Sequence, residues 1–263
     1  MQRWAAGVEY RGTAYSGWQV QNHAPSVQQR VEQALSSIAN HALTVICAGR
    51  TDAGVHALGQ VIHFESAAPR SAYAWLLGAN KELPRDISLC WVQPAAQEFH
   101  ARYSALSRRY RYVLRCGRAR SALLDDRAGW AIDTLNAPAM HRAAQALVGE
   151  HDFSAYRDSD CQAPSPVRTV QAIVVRRHAE FVVIDVQANA FLHHMVRNIT
   201  GVLLAIGKGD QPESWAKTVL DSRERAKGGV TADARGLYFV GPEYPAEFGI
   251  PLPPAPWFPG ALA

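Results

Sequence analysis

Apolar and polar positions follow two periods along this chain, one typical of strands and one typical of helices. In the first hundred residues, runs that predict strands cover 4–10, 43–47, 60–64 and 87–92. A helix is predicted to begin at Ser26, because Ser26 and Gln29 fit a capping box and apolar residues then recur on one face. A second helix is predicted from Ser71 to Asn80.

The second half repeats this alternation. Predicted strands cover 110–116, 169–176, 181–187 and 237–240, and predicted helices cover 137–148, 191–206 and 212–220. The helix over 191–206 has an apolar face through Leu192, Met195 and Ile199, and Gly207 and Gly209 are predicted to end it, with Gly207 as the cap. These elements predict an α+β fold with two strand-rich α/β-sandwich halves, whose antiparallel sheets flank a central cleft.

Three segments are predicted from this pattern. Residues 1–105 form an N-terminal α+β domain, residues 106–245 form a second α+β domain, and residues 246–263 form a proline-rich extended tail. The first boundary is placed near Ala105, where a basic run begins.

Composition narrows the class of protein. The chain has 263 residues, of which 48% are hydrophobic, so it is long enough to bury a core without disulfides or a structural metal. The four cysteines are far apart and form no CxxC pair, which argues against a zinc site and favours free thiols in a reducing cytoplasm. No segment has the length and apolarity of a membrane helix, and the N-terminus lacks the pattern of a signal peptide.

The net charge of +4 is mild, but its distribution is uneven. Residues 107–120 contain six arginines and no acidic residue. This run is either a solvated strand and loop or a phosphate-contacting surface. On a regular strand, Tyr110 would share a face with Tyr112, whereas Arg109 and Arg111 would share the other, so we expect Tyr110 and not Arg111 to point inward.

The string from Ala48 to Ala57, AGRTDAGVHA, lies between two predicted strands of a hairpin. Asp52 would be exposed on a glycine-bounded turn, and Arg50 could stabilise its ionised form. The turn is either an ordinary one whose Asp caps its own backbone or a site where an ionised Asp acts as nucleophile or base.

Several segments together resemble the motifs of the tRNA pseudouridine synthase A family. AGRTDAGVHA resembles the family's active-site loop, and the segment from Tyr10 to Gln21 resembles its N-terminal Y-D-G…G-W-Q-x-Q motif, with Arg11 where Asp is usual. The other matching segments are FHAR at 99–102, RYRY at 109–112 and FLHHMVRN at 191–198.

This resemblance implies that the chain isomerises uridine to pseudouridine at positions 38 to 40 of the tRNA anticodon stem-loop. Asp52 would be the nucleophile, attacking either the base or the ribose, and Arg50 would pair with it. Tyr110 would pack against the target base and could assist removal of the C5 proton. The resemblance further implies a homodimer that binds RNA in a basic cleft, without a redox step, metal or nucleotide cofactor.

The basic residues have less specific roles. Arg109 and Arg111 offer charge for the RNA, and Arg197 would orient Asp52, bind phosphate or form a buried ion pair. On a helix, His193 and His194 would diverge by about 100°, which argues against one shared metal.

Two other functions are compatible with parts of the sequence. A noncatalytic RNA-binding protein or chaperone would share the arginines and tyrosines but would not need Asp52. A small-molecule hydrolase would use Asp52 with a histidine, but the sequence shows no nucleophile, base and orienting group in a recognisable pattern.

Overall fold

The computed structural model describes residues 1–132 and 134–252, which fold into two compact units. Of the described residues, one unit comprises Met1–Ser107 and 238–252, and the other comprises Arg108–Leu237. The division into domains over 1–105 and 106–245 with a tail over 246–263 stays a prediction. The part of the predicted tail after Leu252 lies outside the described residues.

The described secondary structure alternates strands and helices in both units. The strands are β1 (Gln2–Tyr10), β2 (Ile46–Cys47), β3 (His56–Ser66), β4 (Ile87–Pro94), β5 (Ser107–Cys116), β6 (Gly129–Ala131), β7 (Gly149–Asp152), β8 (Val167–His178), β9 (Phe181–Ala188) and β10 (Leu237–Glu243). The α-helices are α1 (Val27–Ala39), α2 (Ala72–Glu82), α3 (Ala137–Ala144), α4 (Met195–Lys208) and α5 (Trp215–Ser222).

In the unit that contains the N-terminus, the strand order is β4-β1-β3-β10, and β2 pairs with β3. β1 is antiparallel to both β3 and β4, whereas β10 is parallel to β3. As the capping box predicts, the Ser26 hydroxyl accepts a hydrogen bond from the Gln29 N–H at 3.3 Å, at the start of α1. Trp75 of α2 is fully buried, and its ring packs edge-on against Phe64 of β3 at 5.1 Å, which fixes the helix on the sheet.

In the other unit, the strand order is β5-β9-β8-β7, and β6 pairs with β5 in parallel. The predicted hairpin of β8 and β9 is confirmed as an antiparallel pair. α3 packs on β8 and on α4, and the fully buried Met140, Ile199 and Leu203 lie in this core. The α+β class is confirmed, with mostly antiparallel strand pairs in each unit.

Helix α4 differs from its prediction at both ends. It begins at Met195 and not at Phe191, because His194 at the N-cap has the left-handed φ of 57° and breaks the helical path. It ends after Lys208 with Gly209 as the left-handed C-cap, so the prediction of Gly207 as the cap is wrong. Gly207 lies inside the helix, where an added Cβ would meet Met140 Sδ at 2.5 Å, so glycine permits close packing on α3.

None of the described helices combines the length and the apolarity that crossing a bilayer requires.

Candidate active site

The loop that carries Asp52 connects two paired strands, as predicted. β2 and β3 are antiparallel, with Ile46 opposite His63 and Cys47 opposite Ile62. The loop turns back at its tip, where the Val55 N–H donates to the Asp52 carbonyl at 3.2 Å. Gly54 occupies the third position of this turn with a φ of 79°, a conformation that favours glycine. The turn places Asp52 at its first position, half-buried.

Buried polar groups hold the backbone on the N-terminal side of Asp52. The amide of Gln60, a fully buried residue of β3, donates to the Gly49 carbonyl at 2.6 Å and accepts from the Gly49 N–H at 3.4 Å. The Thr51 hydroxyl is 2.7 Å from the Tyr10 hydroxyl, and burial raises the pKa of Tyr10. Because these groups lie away from water, breaking a bond would leave an unsatisfied polar atom, so the loop has little freedom.

The segment 11–22 supports the same loop from a second side. The Trp18 N–H donates to the Thr51 carbonyl at 3.0 Å, and the Gly54 N–H donates to the Tyr15 carbonyl at 3.2 Å. A Cβ added to Gly12 would lie 1.9 Å from the Val55 carbonyl oxygen, so only glycine fits there. The two glycine-containing motifs therefore form one tightly packed block around Asp52.

Gly17 belongs to this block for a different reason. Its φ is 91°, and an added Cβ would meet the Thr51 carbonyl oxygen at 2.6 Å. The local pattern of the chain does not predict this contact between the two loops, although the glycines in both loops are a visible signal of it.

His56, which follows the loop, has a structural role. It is buried, its Nδ1 accepts a hydrogen bond from the Gly12 N–H at 3.1 Å, and its ring stacks on Tyr238 at 4.8 Å. An imidazole that accepts at Nδ1 carries its proton on Nε2. His56 thus links β3, β10 and the segment 11–22 beneath the loop.

Arg50 lies two residues before Asp52, with an exposed side chain. The pairing with Asp52 that the resemblance implies stays a prediction.

Strand β5 in the other unit carries the predicted base-stacking residue. Its pairing with β9 runs without a bulge from Arg108 to Arg115, so Tyr110 and Arg111 lie on opposite faces, as expected. The Tyr110 ring is buried and meets Phe191 edge-on at 4.9 Å. Tyr112 lies in the core, where its hydroxyl donates to the Asp233 carbonyl at 2.7 Å and burial raises its pKa.

The arginines of β5 are not equivalent. Arg111 lies directly opposite Asp185 of β9, and two of its nitrogens donate to the two carboxylate oxygens, each at 2.8 Å. Both side chains are only 12% exposed, which gives Arg111 a cross-strand structural pair that the sequence analysis did not predict. Arg109 is half-buried on the same face, opposite Gln187.

Arg197 lies in the first turn of α4. Its Nε donates to the Ala232 carbonyl at 2.7 Å, and its own carbonyl accepts from the Ala232 N–H at 3.1 Å. The next residue, Asn198, is buried and donates to the Tyr156 carbonyl at 2.9 Å. The beginning of α4 is therefore tied to two separate loops, which fixes the Cα of Arg197.

The two histidines before α4 do not have the geometry predicted for a helix. His193 and His194 precede the helix, and their rings stack with centroids 3.9 Å apart instead of diverging. The left-handed backbone of His194 produces this arrangement.

Comparison with known proteins identifies the family. Residues 6–104 and 143–245 match the family model described as tRNA pseudouridine synthase. The tRNA pseudouridine synthase A of Coxiella burnetii (strain Dugway 5J108-111) is 51% identical over 98% of this chain and 99% of its own length. The chain belongs to the tRNA pseudouridine synthase family. This membership confirms the predicted enzyme class, an isomerase that converts uridine to pseudouridine in tRNA.

Other relatives agree over nearly the full length. The tRNA pseudouridine synthase A of Pseudoalteromonas translucida is 52% identical over 96% of each chain, and that of Shigella boydii serotype 4 is 50% identical over 95% of this chain and 93% of its own. The crystal structure of a Cbf5-Nop10-Gar1 complex matches weakly, with a TM-score of 0.33 and 11% identity over 76% of this chain and 54% of that chain.

Proposed function

We propose that this tRNA pseudouridine synthase acts on uridines 38 to 40 of the anticodon stem-loop, with Asp52 as its nucleophile. The observation that carries the proposal is the rigid presentation of the Asp52 loop by Gln60, Tyr10 and the segment 11–22. A nucleophile must be held close to its attack geometry before the substrate arrives, because disorder at the reacting atoms raises the barrier. The motif resemblance of the loop supports the assignment of Asp52.

The reaction is an isomerisation with no net gain or loss of atoms. Asp52 adds to the base or to C1′ of the ribose, and the C1′–N1 bond breaks. The uracil then rotates, C5 bonds to C1′, the bond to Asp52 breaks and frees its carboxylate, C5 loses its proton and N1 gains one. Either route needs an ionised carboxylate next to a nucleotide that has left the base stack.

The remaining site residues bind the substrate in this proposal. Tyr110 packs against the extruded base, since an aromatic face offsets part of the cost of unstacking. Arg50, Arg109 and Arg197 contact the RNA, and their charge contributes through release of counterions. We assign Arg111 mainly to its pair with Asp185, because using it for phosphate would weaken that pair.

We also propose that the active form is a homodimer, as the resemblance implies, and that it works in the cytoplasm, where its four cysteines would stay reduced. Light scattering on the full chain should give twice the monomer mass of 28.8 kDa. A species at the monomer mass that retains full activity would contradict the dimer.

The position of the target is tested with an unmodified tRNA transcript that carries uridine at 38, 39 and 40. Wild-type protein should form pseudouridine at these positions, and Asp52→Ala should form none while it still binds the transcript. A matched transcript with cytidine at the three positions is the control. Modification elsewhere in the tRNA would refute the site, and binding without any isomerisation would favour the noncatalytic RNA-binding alternative.

A further inference from the structure

Asp158 contacts the two histidines that precede α4. It lies just after a 3-10 turn at Ser154–Tyr156. Its Oδ2 is 2.6 Å from His194 Nδ1, and its Oδ1 is 3.9 Å from His193 Nδ1. The Asp158 N–H also donates to the His193 carbonyl at 3.0 Å, so both backbone and side chain of Asp158 hold the pair.

The carboxylate of Asp158 is itself fixed. The Asp160 N–H donates to its Oδ1 at 3.1 Å, and the Cys161 N–H donates to its carbonyl at 3.2 Å. The Asp160 N–H, followed by His194, keeps the pKa of Asp158 below its usual range. An ionised carboxylate only accepts hydrogen bonds, so Nδ1 of His194 carries the proton and donates.

The two imidazoles are held at a backbone cost. His194 has a φ of 57°, which is uncommon for a residue other than glycine, and the stacked ring of His193 is 39% exposed. Neither ring fills the core. Strain that keeps two polar rings, 39% and 21% exposed, in one arrangement points to a role in binding or catalysis.

The position of the pair along the chain suggests which role. Phe191, two residues before His193, packs against Tyr110, and Arg197 lies in the first turn of the helix that follows. The histidines are therefore bracketed by two elements that the proposed function assigns to substrate binding.

We propose that Asp158 is a positioning residue of the isomerase. It fixes the tautomer and orientation of His194, and through the stacked rings the orientation of His193, so that the imidazole edges contact the RNA substrate. A carboxylate that orients a histidine acts in the same way in other enzymes, where it selects the tautomer that the reaction needs. This inference rests on the proposed function, because it concerns the same reaction.

The test compares three variants of the full chain. Asp158→Ala removes the acceptor, and Asp158→Asn keeps an acceptor oxygen but removes the charge. Asp160→Asn is the matched control, since it makes the same change on an exposed side chain two residues away and keeps the backbone N–H that donates to Asp158. Each is measured for thermal unfolding, tRNA affinity and single-turnover pseudouridine formation.

We expect Asp158→Ala to lower the single-turnover rate by about tenfold or more, a typical effect of losing a group that orients a functional histidine. Asp158→Asn should recover most of this rate, and Asp160→Asn should stay within about twofold of wild type. A rate for Asp158→Ala within twofold of wild type would overturn the inference. So would equal losses in Asp158→Asn and Asp158→Ala, since that pattern would show that orientation by an acceptor oxygen is not what matters.

Nitrogen NMR of the imidazoles separates this inference from the proposed function. The His194 signals, assigned by their loss in His194→Gln, should show a protonated Nδ1 in wild type and in Asp160→Asn. In Asp158→Ala the Nδ1 proton should be depleted. An unchanged His194 tautomer in Asp158→Ala would refute the role of Asp158, even if the enzyme is active. If the wild type forms no pseudouridine while Asp158→Ala still loses the Nδ1 proton of His194, only the proposed function is refuted.

Discussion

Replacing Gly12 with alanine tests whether packing beneath the Asp52 loop sets the rate of the reaction. The added Cβ would lie 1.9 Å from the Val55 carbonyl oxygen and 2.6 Å from its carbonyl carbon. Ordinary contact begins near 3.4 Å, so one of the two backbone segments must move by about 1.5 Å. Neither partner is a flexible side chain, and Val55 closes the turn that presents Asp52.

This displacement has two calculable consequences. Overpacking of a close contact destabilises a protein by about 1–3 kcal/mol, which the full chain should survive. A misplacement of about 1 Å at a reacting group can cost about 100-fold in rate, so we expect Gly12→Ala to lower single-turnover pseudouridine formation by about 100-fold. The tRNA dissociation constant should change by less than about threefold, because the arginines are untouched.

The assay is single-turnover formation of pseudouridine on an unmodified transcript, with tRNA binding measured in parallel. Gly117→Ala is the control, since its added Cβ would meet its nearest atom at 3.5 Å, an ordinary contact. A folded Gly12→Ala protein that retains a rate within threefold of wild type would refute the argument that this packing holds Asp52 in place.

Three further predictions concern charge. Arg111→Ala should lower the free energy of unfolding by about 3 kcal/mol, because it leaves the buried Asp185 carboxylate without its partner. Chemical denaturation measures this loss, and the double variant Arg111→Met/Asp185→Leu should recover most of it. Burial, with nearby His100 and Arg3, lowers the pKa of His63 to about 4. Between pH 6.5 and pH 4 this histidine is therefore neutral in the folded protein and protonated in the unfolded chain. The free energy of unfolding should drop by about 3 kcal/mol as the pH falls from 6.5 to 4, and by less in His63→Gln. The logarithm of tRNA affinity should fall linearly with the logarithm of salt concentration, and Arg109→Gln should reduce this slope by about one, whereas an unchanged slope would remove Arg109 from the phosphate contacts.

Local patterns predicted the elements of this fold well. Ser26 and Ser71 cap α1 and α2 as their positions suggest, and the alternation of β5 correctly separates Tyr110 from Arg111. These features depend on neighbouring residues, whose spacing the sequence displays directly. The motif of the Asp52 loop likewise predicted a turn between two antiparallel strands.

What the sequence did not reveal depends on distant contacts or on single backbone angles. The parallel pairing of β10 with β3 joins Tyr238 to His56, a separation that no local period encodes. The pair of Arg111 with Asp185 depends on strand register. The start of α4 was misplaced because Leu192 continues the apolar spacing although His194 is left-handed, a conformation that leaves no trace in hydrophobic periodicity.

The central claim, that the Asp52 carboxylate attacks the nucleotide, is tested most directly with tRNA that carries tritium at C5 of uridine. Under enzyme excess, wild-type protein should release the tritium of the target uridine into water, because C5 loses its hydrogen when it bonds to C1′. Asp52→Asn, with the same shape and without the nucleophilic charge, should bind the tRNA equally well and release none. Release by Asp52→Asn at the wild-type rate would contradict the account.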